Sequence, residues 1–238
     1  MEWFLRYGHY PLMAVAAVFL LVWLYIGRKR LTLPYPAQIG LGLLALGFAV
    51  FCVKAFAALE AWDLSGFRNM SIFGAVLFMP LCLRLEARLT KQDADAFLDV
   101  YAVPMVFMLM LARFNCLRTG CCYGRLIPGT EFRVPTRELE IVFYVLLLVW
   151  FFLRTKRGTT NGLLYPVYMT AYGLVRFVLE FFRHTDGTDL FHLAHLWAIL
   201  SLTAGACLWM DALRRGGEGN SAKPRHGHKQ KRQQGGKK

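Results

Sequence analysis

The chain reads as an all-α, polytopic membrane protein of about seven transmembrane helices, with its amino terminus outside and its carboxyl terminus in the cytoplasm. Three observations carry this. Hydrophobic residues make up 56% of the 238 positions, and the mean hydropathy is +0.39. That is more apolar surface than one soluble core of this size hides, so lipid is the natural solvent for the excess. The apolar residues also fall into seven separate stretches, at 10–27, 37–58, 71–83, 97–112, 139–153, 163–182 and 190–213. Finally, Lys and Arg gather in alternate connections.

Each stretch is read as a helix because a backbone in lipid must satisfy its own hydrogen bonds. The first resembles the apolar part of a signal peptide, but Arg6 alone is a thin basic flank and no small-residue cleavage site follows Ile26. It is therefore expected to be retained as a helix. The second is long and carries a single charge, Lys54. The third, 71–83, is too short to cross about 30 Å of hydrocarbon and contains Gly74 and Pro80. A short or broken segment packed against protein is expected there. The fourth, fifth and seventh are ordinary apolar spans; Cys52, Cys82 and Cys207, in the second, third and seventh stretches, are read as small packing residues.

Orientation follows from the basic residues. Arg28, Lys29 and Arg30 follow the first stretch, Arg84, Arg88 and Lys91 the third, and Arg154, Lys156 and Arg157 the fifth. The tail 214–238 holds nine Lys/Arg against the single acid Glu218, so +8 of the net charge of +13 lies there. These segments belong in the cytoplasm. The tail has almost nothing apolar to pack and is expected to be a disordered extension of a single membrane domain, 1–213. It reads as a topology anchor or anionic-lipid contact before a binding arm for protein or nucleic acid, and nucleic acid is not an expected partner.

The opposite side receives the loop 113–138, where Arg113, Arg118, Arg125, Arg133 and Arg137 break the charge rule. An anionic ligand is a physical reason for such a concentration. The sixth stretch supplies a second cluster. Tyr165, Tyr168, Tyr172, Arg176, Glu180 and Arg183 recur at spacings of three and four and so share one helix face. A polar stripe must face the bundle interior, because a charge at mid-bilayer costs about 2.5–3.5 kcal/mol even on the gentler scale. Arg176 lies seven residues inward of Arg183, roughly 10 Å of rise, which is head-group depth. The plainer alternative is a structural i, i+4 pair of Arg176 with Glu180.

A third cluster runs from Arg113 to Arg125. Gly120 and Gly124 allow sharp turns that offer N–H groups to an anion. Cys116, Cys121 and Cys122 put three cysteines in seven residues. A disulfide, such as Cys116 with Cys121, leads on an oxidising face, with buried free thiols and active thiol chemistry as alternatives. No CxxC and no matched His spacing is present, so no metal is expected. No cofactor is expected either.

These residues bring out a resemblance. Arg113, Cys116, Gly120, Cys121, Cys122 and Gly124 form Arg-x-x-Cys-x-x-x-Gly-Cys-Cys-x-Gly, which resembles a branch of the prolipoprotein diacylglyceryl transferase family. The run Pro135 to Glu140 is similar to the family's Pro-Ser-Gln-Leu-Tyr-Glu, keeping its first and last residues. Tyr172, Gly173, Arg176, Phe177, Glu180, Phe181 and Arg183 resemble its Tyr-Gly-x-x-Arg-Phe-x-x-Glu-Phe-x-Arg, and Tyr7 with Gly8 is a weaker match to a Tyr-Gly.

The resemblance implies a multi-pass enzyme of the bacterial cytoplasmic membrane. It would move the diacylglyceryl group of phosphatidylglycerol onto the lipobox cysteine thiol of a secreted lipoprotein precursor, releasing glycerol phosphate. Arg113 and Arg176 then hold the phosphate, Glu140 and Glu180 orient the guanidiniums or Glu140 serves as a base, and Tyr172, Arg183, Gly120, Gly124 and Tyr7 contribute to binding. The chain departs from the pattern where the family's His-Gly-Gly appears as Phe73, Gly74 and Ala75, and where its Asn and Glu appear as Cys116 and Cys121. Arg137 and Leu139 replace a Gln and a Tyr. His192 and His195 are read as interfacial anchors or as a replacement proton acceptor. These losses leave two alternatives to transfer: a catalytically silent phospholipid-binding paralogue, or a membrane thiol oxidoreductase using the three cysteines.

Overall fold

The structure, a computed structural model, describes residues 9–158, 160, 162–183 and 191–221. Seven α-helices follow one another along these residues: α1 His9–Gly27, α2 Tyr35–Ala61, α3 Ile72–Leu89, α4 Ala94–Thr119, α5 Thr136–Lys156, α6 Leu164–Glu180 and α7 Leu193–Ser221. A 3-10 turn, Leu64–Arg68, links α2 to α3. Among the described residues there are no strands, only the isolated bridges Gly124–Arg183 and Leu126–Arg133. Among the described residues four helices are long and apolar enough to cross a membrane: α1, α2, α4, and α7 as far as Arg215. Tyr7 and most of the turn after Arg183 lie outside the described residues.

Local chemistry sets several boundaries. Asp93 caps α4 by accepting from the Asp95 and Ala96 N–H groups at 2.8 and 3.4 Å, offsetting two unpaired donors of the first turn. Pro34 and Pro36 open α2, where a missing N–H costs nothing. Gly120 closes α4 in the left-handed region at φ 66°, the usual glycine stop.

Three expectations from the sequence change here. The third segment is one unbroken helix of 18 residues, long enough for about 27 Å, and it takes in Arg84 and Arg88. Pro80 interrupts the hydrogen-bond ladder without ending the helix, because Phe73, Gly74, Val76, Met79 and Leu83 bury its inner face. The fourth helix extends to Thr119, so Arg113, Cys116 and Arg118 are helical rather than in the outer loop, and Arg137 falls in the first turn of α5. The last helix continues to Ser221, eight residues into the segment expected to be unstructured. Residues 222–238 of the basic tail lie outside the described part.

α4 is the central element: Phe97 through Pro104 are all buried. Trp23 of α1 donates to the Val100 carbonyl at 2.8 Å, and Tyr101 donates to the Gln38 carbonyl of α2 at 2.7 Å. Phe19 stacks on Phe107 with ring centroids 3.8 Å apart. α3 approaches α2 closely at Gly74, where a Cβ would stand 2.2 Å from the Cys52 carbonyl oxygen. The outer surface carries large apolar side chains such as Ile26, Leu44, Phe51, Leu81 and Leu146, as a lipid-facing bundle does.

The bundle has two chemically different ends. At one, Arg30 donates to the Thr155 carbonyl at 3.1 Å, the Thr32 N–H donates to Gln92 at 2.9 Å, and Arg215 pairs with Asp95 at 3.0 Å. There Asp99 accepts from the Gly162 and Leu164 N–H groups, both at 2.8 Å, and so caps the start of α6. The basic connections expected on one side of a membrane therefore meet at one end. At the other end the 120–135 loop is tied to α6, with Arg125 N–H donating to the Phe182 carbonyl at 2.8 Å.

Candidate functional site

The loop-bearing end gathers charge in its interior. The last turns of α4 supply Arg113, the second turn of α5 supplies Glu140, and the last turns of α6 supply Arg176 and Glu180. All four are at most 5% exposed. Arg113 Nε lies 2.5 Å from Glu140 Oε2, and Arg176 Nη1 donates to Glu140 Oε1 at 2.8 Å. Arg176 Nη2 donates to Glu180 Oε2 at 2.7 Å, and Arg183 Nη1 stands 3.5 Å from Glu180 Oε1. The result is an alternating row, Arg113–Glu140–Arg176–Glu180–Arg183, spanning three helices.

Taking each ion out of water costs several kcal/mol, which only close opposite charges and further donors offset. Alternation supplies the opposite charges. Arg176 Nε nevertheless has no hydrogen-bond partner among the described residues. The Arg176 guanidinium lies 5.5 Å from the centroid of the Phe73 ring, and Phe73 meets Tyr172 edge-on at 5.9 Å. The position where the family's histidine was expected is therefore at the site, filled by an aromatic face that suits a cation.

The stripe read on the sixth segment does face inward: Tyr165, Tyr168 and Tyr172 are at most 1% exposed. The i, i+4 pair of Arg176 with Glu180 exists, but it is half of Arg176's pairing rather than all of it. Around the row, residues 113–140 and 172–183 hold seven arginines against four glutamates, a positive excess that attracts an anion. Alongside, a cavity of about 510 Å³ opens between α1, α2 and α4. Leu12, Met13, Leu20, Leu43, Met108 and Leu111 line it, and it reaches Ala112 and Asn115, which flank Arg113 on α4.

The cysteine loop adjoins the row. Cys116, Cys121 and Cys122 are free thiols, with no disulfide between Cys116 and Cys121, and their sulfurs lie within 4.8 Å of one another. Arg183 Nη2 donates to Cys122 Sγ and Thr119 Oγ1 to Cys121 Sγ, both at 3.4 Å. The hydrogen bond from Cys116 holds the Cys122 thiol well below the ordinary cysteine range, and Arg183, Cys121 and Arg113 act in the same direction.

Both glycines shape the backbone at this end. The Gly120 N–H bonds back to the Cys116 carbonyl in the helix cap, so it is not free for an anion. A Cβ at Gly124 would stand 2.0 Å from the Val134 carbonyl oxygen, a close approach only glycine permits. Arg137, read as one of the loop's excess arginines and as a departure from a motif, clasps the loop: its Nη1 donates to the Cys116 and Cys121 carbonyls at 3.4 and 3.3 Å. Its guanidinium also lies 4.5 Å from the Tyr123 ring centroid.

Two minor readings change. His195 is not an interfacial anchor; it is 2% exposed and packed among Phe177, Phe181 and Phe191. Its Nδ1 accepts from the His192 backbone N–H at 3.1 Å. Cys52 is buried as expected of a packing residue and Cys82 partly so, but Cys207 is exposed on α7.

A family model described as prolipoprotein diacylglyceryl transferase matches residues 6–211. Similar proteins bear the name phosphatidylglycerol–prolipoprotein diacylglyceryl transferase. One from Dehalococcoides mccartyi is 26% identical over 202 residues, covering 74% of this chain and 76% of its own. One from Helicobacter pylori is 28% identical over 141 residues, covering 52% of this chain and 49% of its own. A third, from Chlorobaculum tepidum, is 28% identical over 135 residues, covering 51% and 46%. The match spans all seven helices of the described bundle up to Asp211 and includes every member of the buried charge row, so the chain belongs to the prolipoprotein diacylglyceryl transferase family.

Proposed function

We propose that this protein transfers the diacylglyceryl group of phosphatidylglycerol to the lipobox cysteine thiol of a lipoprotein precursor. The observation that carries this is the buried row in which Glu140 holds Arg113 and Arg176 side by side at one end of a lipid-facing bundle. In the reaction the acceptor thiol gives up its proton to solvent and its sulfur attacks the glyceryl carbon that bears the phosphate. The carbon–oxygen bond breaks, its electron pair leaves with glycerol phosphate, and a thioether remains.

Arg113 and Arg176 bind the head-group phosphate and stabilise the charge that grows on it. A guanidinium about 4 Å from a phosphate is worth about 4 kcal/mol at an effective dielectric near 20, so two of them outweigh what one exposed lysine supplies. Glu140 and Glu180 aim the guanidiniums. With both Glu140 oxygens engaged by arginine, orienting is its role rather than base catalysis. Tyr172 packs against Phe73 beneath the head group, Arg183 extends the positive end of the row, and the apolar cavity beside Arg113 takes acyl chain.

The basic connections gathered at the far end favour the cytoplasm for that end, and so the outer side of the cytoplasmic membrane for the charge row. All seven helices then cross the bilayer, the amino terminus lies outside, and 1–213 forms one transferase domain. α3, α5 and α6 are more polar or shorter than a lone span requires because protein, not lipid, covers their charged and small faces.

The test is direct. Purified protein, labelled phosphatidylglycerol and a lipobox peptide are combined and the peptide mass is read for the parent, Arg113→Ala and Arg176→Ala. A diacylglyceryl adduct that disappears in both variants is the expected result. Retained lipid binding with no adduct from the parent chain marks a silent paralogue.

A further inference from the structure

We propose that Cys116, Cys121 and Cys122 form a three-thiolate site for a zinc ion whose open fourth position takes the acceptor thiol; the second half of this rests on the transferase reading above. The three sulfurs already lie within 4.8 Å of one another. With zinc–sulfur bonds of about 2.3 Å, the edges of a tetrahedral site are about 3.8 Å, so closing on a metal needs a movement of about 1 Å. Side-chain rotation at the half-exposed loop supplies that.

The backbone is arranged for this convergence. Gly120 turns the chain at φ 66°, and Cys122 itself adopts φ 58°, a left-handed conformation that costs a non-glycine residue about 1–2 kcal/mol. Arg137 holds the Cys116 and Cys121 carbonyls from below. Without these turns, sulfurs at positions 116, 121 and 122 would not share one side of the chain. Thr119 on Cys121 and Arg183 on Cys122 donate to two of the sulfurs, as outer partners of metal-bound thiolates do. Three thiolates and Zn²⁺ leave one negative charge, which Arg183 is placed to offset.

All-sulfur ligation selects soft or borderline ions, and zinc among them has no redox chemistry of its own. Three protein ligands with one position open is the catalytic pattern rather than the closed structural one.

Zinc would also take the place of a base for the acceptor's proton, which the carboxylates of the charge row do not supply. Glu140 and Glu180 are committed to arginines. His195 uses its Nδ1 lone pair on the His192 N–H, so its neutral ring carries the proton on Nε2 and has no acceptor left. A thiol entering the zinc's open position loses its proton to solvent and stays nucleophilic as the bound thiolate. Its sulfur then forms the bond to the glyceryl carbon as the carbon–oxygen bond breaks, and glycerol phosphate leaves with the electron pair. Zinc remains divalent throughout. The site is next to the phosphate-binding row, since Arg183 touches both Cys122 and Glu180.

The full chain, purified in a membrane mimetic under reducing conditions, is analysed for metal, then stripped with a chelator and titrated with Co²⁺. Expected are about one zinc per chain and the absorption of tetrahedral thiolate-bound cobalt, both lost in Cys121→Ser and Cys122→Ser and kept in Cys207→Ser. A lipobox peptide is expected to shift the cobalt bands, and its Cys→Ser analogue is not. Transfer is expected to fall about a hundredfold or more on stripping and to return with Zn²⁺.

Parent protein with reduced thiols that binds neither Zn²⁺ nor Co²⁺ overturns the site, whereas undiminished transfer by the stripped protein overturns the acceptor role and leaves the transferase reading intact. Cobalt bands indifferent to the peptide thiol overturn the acceptor role. Metal binding together with the peptide-induced shift but without transfer supports the site and counts against the transferase reading alone.

Discussion

Arg176 donates to Glu140 at 2.8 Å, joining α6 to α5 across 36 residues of chain, while the other oxygen of the same carboxylate faces Arg113. One buried carboxylate thus keeps two guanidiniums together that would otherwise repel. Glu140→Gln keeps the shape and removes the charge. Breaking a buried pair in this way costs about 3–5 kcal/mol, so a clear drop in the thermal unfolding midpoint is expected in detergent. An unchanged midpoint would show that the carboxylate does not hold the row together. In a double-mutant cycle, Arg113→Ala with Glu140→Gln should destabilise by less than the sum of the two.

Arg176 uses two nitrogens on two different carboxylates, with its plane near Phe73. Lysine has the charge but not the fork. Arg176→Lys is expected to keep the helical circular dichroism and lose about 10²–10³-fold in kcat/KM for transfer to the lipobox peptide. Retention of more than a tenth of parent activity would mean that charge alone suffices.

Gly74 faces the Cys52 carbonyl with no room for a methyl group. Gly74→Ala must push α3 away from α2, and a cost of about 1–3 kcal/mol is expected. Because Phe73 beside it lies against Arg176 and Tyr172, transfer activity should fall along with stability. The comparison of unfolding midpoints and initial rates checks both.

Asp99 sits at the opposite end of the bundle and accepts from two N–H groups at the start of α6. Asp99→Ala leaves those donors buried and unpaired, at about 1–3 kcal/mol. Here the effects should separate: a lower unfolding midpoint, with the initial rate at low temperature within about twofold of the parent, because α6 is a rigid link between a cap and a site about 25 Å of helix apart. A large rate loss at full folding would assign Asp99 to the chemistry.

Lys29 and Thr130 are both exposed, at opposite ends of the bundle. In intact cells a membrane-impermeant thiol reagent is expected to add label to Thr130→Cys over the parent chain, and to add none to Lys29→Cys until the membrane is opened. The reverse pattern would invert the orientation.

The helices, their order and the clustering of arginine at one end were legible in the chain, because lipid imposes its demands residue by residue. Apolar runs, alternating basic connections and the three- and four-residue spacing from Tyr165 to Glu180 all act locally, and the structure keeps each of them. Boundaries were harder. Pro80 and the arginines near 84 and 113 read as helix ends, yet burial against neighbouring helices carried α3 and α4 through them.

What only the tertiary structure decided is partnership. The sequence named Arg113, Glu140 and Arg176 but not that one carboxylate lies between the two arginines, since that depends on how α4, α5 and α6 pack. The same is true of the cysteines. No ligand spacing along the chain announced a cluster; the left-handed turns at Gly120 and Cys122 and the clasp of Arg137 bring three sulfurs together. Helix formation answers to the solvent each residue meets, whereas a site answers to distances between residues far apart in sequence, and those distances exist only once the bundle has closed.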